Sequence, residues 1–165
     1  TVMSNMGLSF ALRNRGVSLF TTAVGDRSVM EGMKAHGAVL GGEDSGHIIF
    51  MHHHTTGDGI LSALQILLAQ RRSGKALSEL AAVMTIFPQS LINVPVKRKP
   101  DLAAVPEIEA AIRRAEASLG DRGRVLIRYS GTEPVCRVMV EGEEKTDVEN
   151  HAREIADVIQ ESLGT

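Results

Sequence analysis

Apolar positions along this chain alternate between helical spacing and short continuous runs. Met6, Phe10 and Ala11 share one side of a helix predicted over residues 5–15, with Gly16 as its stop. Residues 17–22 read as a strand. Asp26 caps a helix through about His36 that ends at Gly37. Residues 38–40 and 48–51 read as two further strands. Ile60, Leu61, Leu64, Leu67 and Leu68 give the apolar stripe of a helix over residues 60–72. Asp58 caps that helix, and Arg71-Arg72 make a basic last turn. A shorter helix follows over residues 77–84. Strands alternating with helices predict an α/β layer structure for this half.

The pattern changes between Phe87 and Pro106. Four of the five prolines lie there (Pro88, Pro95, Pro100 and Pro106), together with the basic run Lys97-Arg98-Lys99. Proline stiffens a connection and blocks helix continuation. The domain boundary is therefore placed near Phe87-Pro88, with one α/β domain over residues 1–87 and a second domain over residues 88–165. The second opens with a strand over residues 89–96. Pro106 then starts a helix in which Ile108, Ile112, Ala115 and Leu119 recur at helical spacing. Val125-Leu126-Ile127 and Val138-Met139-Val140 read as strands. Thr146-Asp147-Val148-Glu149 is a capping-box pattern, opening a helix whose inner face is Val148, Ala152, Ile155, Ala156, Ile159 and Leu163. Two amphipathic helices on one face of a small, mainly antiparallel sheet make an α+β domain.

Composition narrows the classes. A length of 165 residues allows one domain or two small ones, and 43% hydrophobic residues fit a soluble globular protein. A net charge of −2 gives no reason to expect nucleic acid or an anionic membrane as partner. No apolar run approaches the ~20 residues that span a bilayer. One cysteine excludes an intrachain disulfide, and with seven methionines it fits a reducing cytoplasm. Cys136 lies beside an apolar run, as a packing residue does. The chain begins abruptly in a strand-like segment, which suits a fragment better than a natural start.

Two loops carry candidate chemistry. Arg128-Tyr129-Ser130-Gly131-Thr132-Glu133-Pro134, closed by Arg137, sits between two predicted strands. Gly131 lets the backbone turn its N–H groups toward one point, Ser130 and Thr132 add hydroxyl donors, and the guanidiniums of Arg128 and Arg137 match phosphate oxygens. The same residues also fit an ordinary hairpin turn with a surface Arg–Glu pair. The second loop is Gly41-Gly42-Glu43-Asp44-Ser45-Gly46-His47. Its carboxylate and hydroxyl groups suit the hydroxyls of a sugar, and equally a polar turn with no ligand. A polyol-type loop and a phosphate-type loop on one chain point toward a sugar phosphate.

Together, Gly42-Glu43-Asp44-Ser45-Gly46-His47 and the stretch from Arg128 to Pro134 resemble the α-D-phosphohexomutases. The amino-sugar branch of that family is the most similar. The opening Thr1-Val2-Met3-Ser4-Asn5-Met6-Gly7-Leu8 matches it, and so does Arg137-Val138-Met139-Val140-Glu141-Gly142. Gly131 and Glu133 stand where the phosphomannomutase/phosphoglucomutase branch tends to have Asn and Thr. The resemblance covers essentially the whole chain and implies most of the family's domain 3 followed by its domain 4. It implies interconversion of glucosamine 6-phosphate and glucosamine 1-phosphate through a phosphoserine and a bisphosphorylated sugar. The family's Ser-His-Asn-Pro loop and its Asp-Gly-Asp-Gly-Asp-Arg magnesium loop do not occur in this sequence. No catalytic residue is therefore expected here, and Mg2+ is expected on a part of the full-length protein outside this chain. The resemblance leaves open whether that protein is a homodimer. It also leaves open phosphomannomutase or phosphoglucomutase activity, or a binding module without catalysis.

Within the resemblance, Glu43 and Ser45 are expected to hold sugar hydroxyls. Arg128, Ser130, Gly131, Thr132 and Arg137 are expected to hold the phosphate. Arg27, in Val24-Gly25-Asp26-Arg27, corresponds to a substrate-facing turn and also reads as the neighbour of a helix cap. Histidine is a residue type capable of proton transfer, but the expected role of His47 is to position a substrate oxygen or to pack behind the loop. His52-His53-His54 invites a metal reading, but in an extended segment only His52 and His54 share a face, and two histidines do not close a zinc site. No metal site is expected.

Overall fold

The computed structural model describes residues 1–164. The chain forms two compact units, Thr1–Ile86 and the residues from Phe87 on.

The first unit begins with α1 (Met6–Arg13), where Asn5 accepts the Gly7 N–H. Residues 17–22 form no strand, contrary to the sequence expectation. Among the described residues it finds no ladder; Val2 N–H bonds the Thr22 carbonyl at 2.9 Å, and the Phe20 ring stacks on that of His36. β propensity alone does not make a strand without a partner. Next come α2 (Asp26–His36), β1 (Leu40–Gly42) and β2 (Ile48–Phe50). Asp26 is the first helical residue, and Gly25 occupies the cap position with φ 108°. The antiparallel hairpin pairs Leu40 with Phe50 and Gly42 with Ile48. β1 thus starts two residues later than expected and runs into the loop glycines. Val29 and Met33 of α2 and Ile49 of β2 form the buried cluster of this unit.

α3 (Gly59–Ser73) follows, with Asp58 accepting from Leu61 N–H at 2.9 Å, as the sequence predicts. Its apolar stripe faces solvent: Ile60 is 77% and Leu64 58% exposed, and Ser62 is the buried residue of the helix. α4 (Leu77–Ala81) ends earlier than expected.

The second unit has the expected α+β architecture. β3 (Gln89–Pro95), α5 (Pro106–Leu119), β4 (Gly123–Tyr129), β5 (Val135–Gly142) and α6 (Lys145–Leu163) build an antiparallel sheet of order β3-β5-β4. Side chains alternate across a strand. Val94, Cys136, Val138 and Val140 therefore meet Ile108, Ala115, Val148, Ile155 and Ile159 of the helices in one buried core. Arg124, Arg128, Arg137 and Glu141 belong to the alternate set, with Arg124 opposite Glu141 and Arg128 opposite Arg137. Arg124 Nε donates to the wholly buried Glu141 carboxylate at 2.7 Å.

A second cap differs from expectation, besides that of Asp26. α6 starts at Lys145, and its first turn carries Val148 N–H to the Glu144 carbonyl. Thr146 is already helical, whereas a cap residue needs non-helical backbone, so the capping box does not form. Among the described residues, no helix is long and apolar enough to cross a membrane.

Candidate functional site

The β1–β2 hairpin shapes the sugar-type loop. Glu43 N–H bonds the His47 carbonyl at 2.9 Å, and Gly46 N–H bonds the Glu43 carbonyl at 3.1 Å. Gly46 sits at φ 92°, a conformation costly for any residue with a Cβ. The Glu43 carboxylate accepts the Gly25 N–H at 2.7 Å, which ties the loop to the start of α2. The Ser45 hydroxyl lies 3.2 Å from His47 Nδ1, and Asp26 Oδ1 lies 4.0 Å from the same nitrogen. Glu43, Ser45 and His47 are thus brought together. Arg27 is not: its guanidinium pairs with Glu31 one turn along α2 at 2.9 Å and is almost fully exposed. Asp26, expected as a helix cap, and Gly25, expected only as part of the Val24-Gly25-Asp26-Arg27 turn, are partners of this loop. The signal was the glycine placed directly before the helix.

Asp26, Glu43 and His47 offer ligand atoms within 4.8 Å of one another, the one such set among the described residues. It does not fit Mg2+, which takes oxygen ligands in near-octahedral geometry. One donor is an imidazole nitrogen, and one Glu43 oxygen already accepts a backbone N–H. His52 and His53 lie in a turn after β2, with His54 directly after it, not in the extended segment expected. His53 Nε2 contacts Gln65 at 3.1 Å, and His54 Nδ1 accepts the Thr56 N–H. The turn forms because His53 and His54 N–H both bond the Phe50 carbonyl.

The phosphate-type loop joins β4 to β5. Ser130 N–H bonds the Val135 carbonyl at 3.0 Å, and the Ser130 hydroxyl accepts the Glu133 N–H at 3.2 Å. Ser130 is nearly buried, while Gly131 and Thr132 are exposed at the tip. Gly131 is not in a left-handed conformation, and a Cβ there would meet nothing within 4 Å. The turn itself does not require a glycine at this position. Arg137 donates to Glu133 at 2.9 Å, the surface Arg–Glu pair of the alternative reading. Its Nε is nevertheless buried without a partner. Arg128 makes no salt bridge among the described residues, although it stands opposite Arg137.

On the opposite sheet face, Tyr129 pairs in register with Cys136. Burial raises the Tyr129 phenol above its usual pKa, and its hydroxyl is buried without a hydrogen bond. Burial pushes the Cys136 thiol up to about 11, which suits a packing residue and not a nucleophile.

Comparison with known proteins gives consistent matches. A family model described as phosphoglucomutase/phosphomannomutase, alpha/beta/alpha domain III, matches residues 1–87, and that family's C-terminal domain model matches residues 91–158. The chain is similar to the phosphoglucosamine mutase of Syntrophus aciditrophicus, at 53% identity over 99% of this chain and 36% of that protein. It is similar to that of Geobacter metallireducens at 56% identity over the same shares. The chain therefore spans about a third of the length of these relatives. Among solved structures, N-acetylphosphoglucosamine mutase of Aspergillus fumigatus superposes with a TM-score of 0.81 at 18% identity, over 99% of this chain and 38% of that one. A second structure of that enzyme, in complex with GlcNAc-6P and magnesium, gives 0.73 at 17% identity, over 96% and 40%. At such identities the superposition speaks for the fold.

Proposed function

The chain belongs to the phosphoglucomutase/phosphomannomutase family, and on that premise we propose that it is the substrate-reading part of a phosphoglucosamine mutase. The full-length protein interconverts glucosamine 6-phosphate and glucosamine 1-phosphate. A phosphoryl group passes from an enzyme serine to the free hydroxyl of the sugar phosphate, giving a bisphosphorylated sugar. The other phosphoryl group then returns to the serine. That serine and the magnesium loop belong to sequence outside this chain, and no step here runs through the metal.

This chain's residues bind and orient. Glu43 and Ser45 hold ring hydroxyls, with His47 orienting Ser45. Arg128, Ser130, Gly131, Thr132 and Arg137 hold the phosphate that is not reacting. Binding energy from that remote phosphate positions the reacting end. The observation that carries the reading is the cross-strand pair Arg128–Arg137 with its buried, unpartnered Nε. Like charges directly opposite are unfavourable in a sheet, and a phosphate dianion resolves that repulsion while supplying the missing acceptor.

The rival within the family is phosphomannomutase or phosphoglucomutase. Identities of 53% and 57% to phosphoglucosamine mutases favour the amino sugar. The full-length protein is expected to show a higher kcat/KM for glucosamine 1-phosphate than for mannose 1-phosphate or glucose 1-phosphate. Equal or better turnover of mannose 1-phosphate would move the assignment to the rival.

A further inference from the structure

Lys99 is the last member of the basic run Lys97-Arg98-Lys99. In the structure its ammonium donates to the main-chain carbonyl of Ser130, 31 residues away, at the first position of the phosphate-type loop. We propose that Lys99 is a positioning residue of that loop. By holding the Ser130 carbonyl, it fixes the Ser130–Gly131 peptide plane so that the Gly131 N–H points the opposite way, as a ready donor to an oxyanion. The inference rests on the sugar-phosphate reading above.

The geometry follows from the peptide bond. In a trans peptide the carbonyl of one residue and the N–H of the next lie in one plane and point in opposite directions, and there is no cis bond among the described residues. Whatever captures the Ser130 carbonyl therefore aims the Gly131 N–H. The local backbone does not make this choice itself. Glycine has no Cβ, so rotating this plane meets little steric resistance, and the space around Gly131 is open.

The other loop bonds fix different groups. Ser130 N–H is held by Val135, Glu133 N–H by the Ser130 hydroxyl, and the Pro134 carbonyl by Val96 N–H at 2.8 Å. The segment that carries Lys99 is itself anchored, because Lys97 N–H bonds the Leu163 carbonyl at 2.9 Å. Electrostatics act in the same sense. A carbonyl dipole with its negative end near the loop repels an anion, and an ammonium on that oxygen offsets the repulsion.

The test is 15N NMR of this 165-residue chain with calorimetry on the same samples. In the wild type the Gly131 amide gives a single signal that moves on titration with inorganic phosphate or glucosamine 6-phosphate. In ligand-free Lys99→Met that signal doubles or broadens, while the melting temperature stays near wild type. Binding of glucosamine 6-phosphate weakens roughly tenfold, the scale of one charge-assisted bond, and binding of phosphate-free glucosamine does not change. Lys99→Arg restores most of the loss. A Gly131 signal of wild-type position and width in ligand-free Lys99→Met would overturn the proposal, whatever the affinities. If Lys99→Met disturbs Gly131 but neither phosphate ligand moves the wild-type signal, the hold on the peptide stands and the sugar-phosphate reading fails.

Discussion

Arg128 on β4 and Arg137 on β5 stand directly opposite one another in register, and Arg128 lies two residues before the nearly buried Ser130 of the loop. Glu133 neutralises one of the two guanidiniums, at 2.9 Å from Arg137. The other has no counter-charge among the described residues. A sheet does not gain stability from such a pair. On the proposed reading, a phosphate held between the two guanidiniums offsets their repulsion.

The 165-residue chain alone is expected to show no mutase activity, with or without magnesium, because its sequence has neither the serine loop nor the triple-aspartate loop. The check is an assay of the purified chain with glucosamine 1-phosphate. Turnover that survives removal of contaminating mutase would contradict it.

Glu43→Ala removes the carboxylate that receives the Gly25 N–H. Affinity for ligands with an intact sugar ring is expected to fall, while inorganic phosphate binding stays unchanged, because an ionised carboxylate accepts from hydroxyls and offers a phosphate no donor. Equal losses for both ligands would mean that the substitution disorders the chain in general.

Cys136 is expected to resist thiol reagents at pH 8 in the folded chain and to react once denaturant is added. The folded thiol is raised from 9.0 to about 11 by burial, so the folded state favours the neutral form. Its contribution to stability is complete below pH 9 and is lost as pH rises toward 11. Denaturant titrations at pH 8 and pH 10.5, for the wild type and Cys136→Ala, should show a steeper loss in the wild type.

Tyr129→Phe removes a buried hydroxyl that has no hydrogen-bond partner. Stability should change by less than about 1 kcal/mol, or rise, since no bond is broken and a polar group leaves the core. A loss of several kcal/mol would reveal a partner for that hydroxyl.

The sequence exposes the second unit almost completely. Its helices bury one clean face each, and the periodicity of Ile108, Ala115, Val148 and Ile155 matches the core they form. In the first unit the signal is weaker for a physical reason. A strand is defined by its partner, and residues 17–22 have none among the described residues. The stripe of α3 is equally legible and yet exposed, because periodicity records a face and not what covers it. At the loops, residue types were legible but their neighbours were not. Nothing in the local sequence places Gly25 on Glu43, or Lys99 on Ser130, since both contacts join segments distant along the chain.

The most direct test of the sugar-phosphate reading is calorimetric titration of Arg128→Ala with glucosamine 6-phosphate, glucosamine and inorganic phosphate, beside the wild type. Both phosphate ligands are expected to bind roughly tenfold to a hundredfold more weakly, the scale of one or two charge-assisted hydrogen bonds. Glucosamine affinity is expected to stay within error. Unchanged affinity for glucosamine 6-phosphate in a folded Arg128→Ala protein would make Arg128 a structural turn residue and contradict the account.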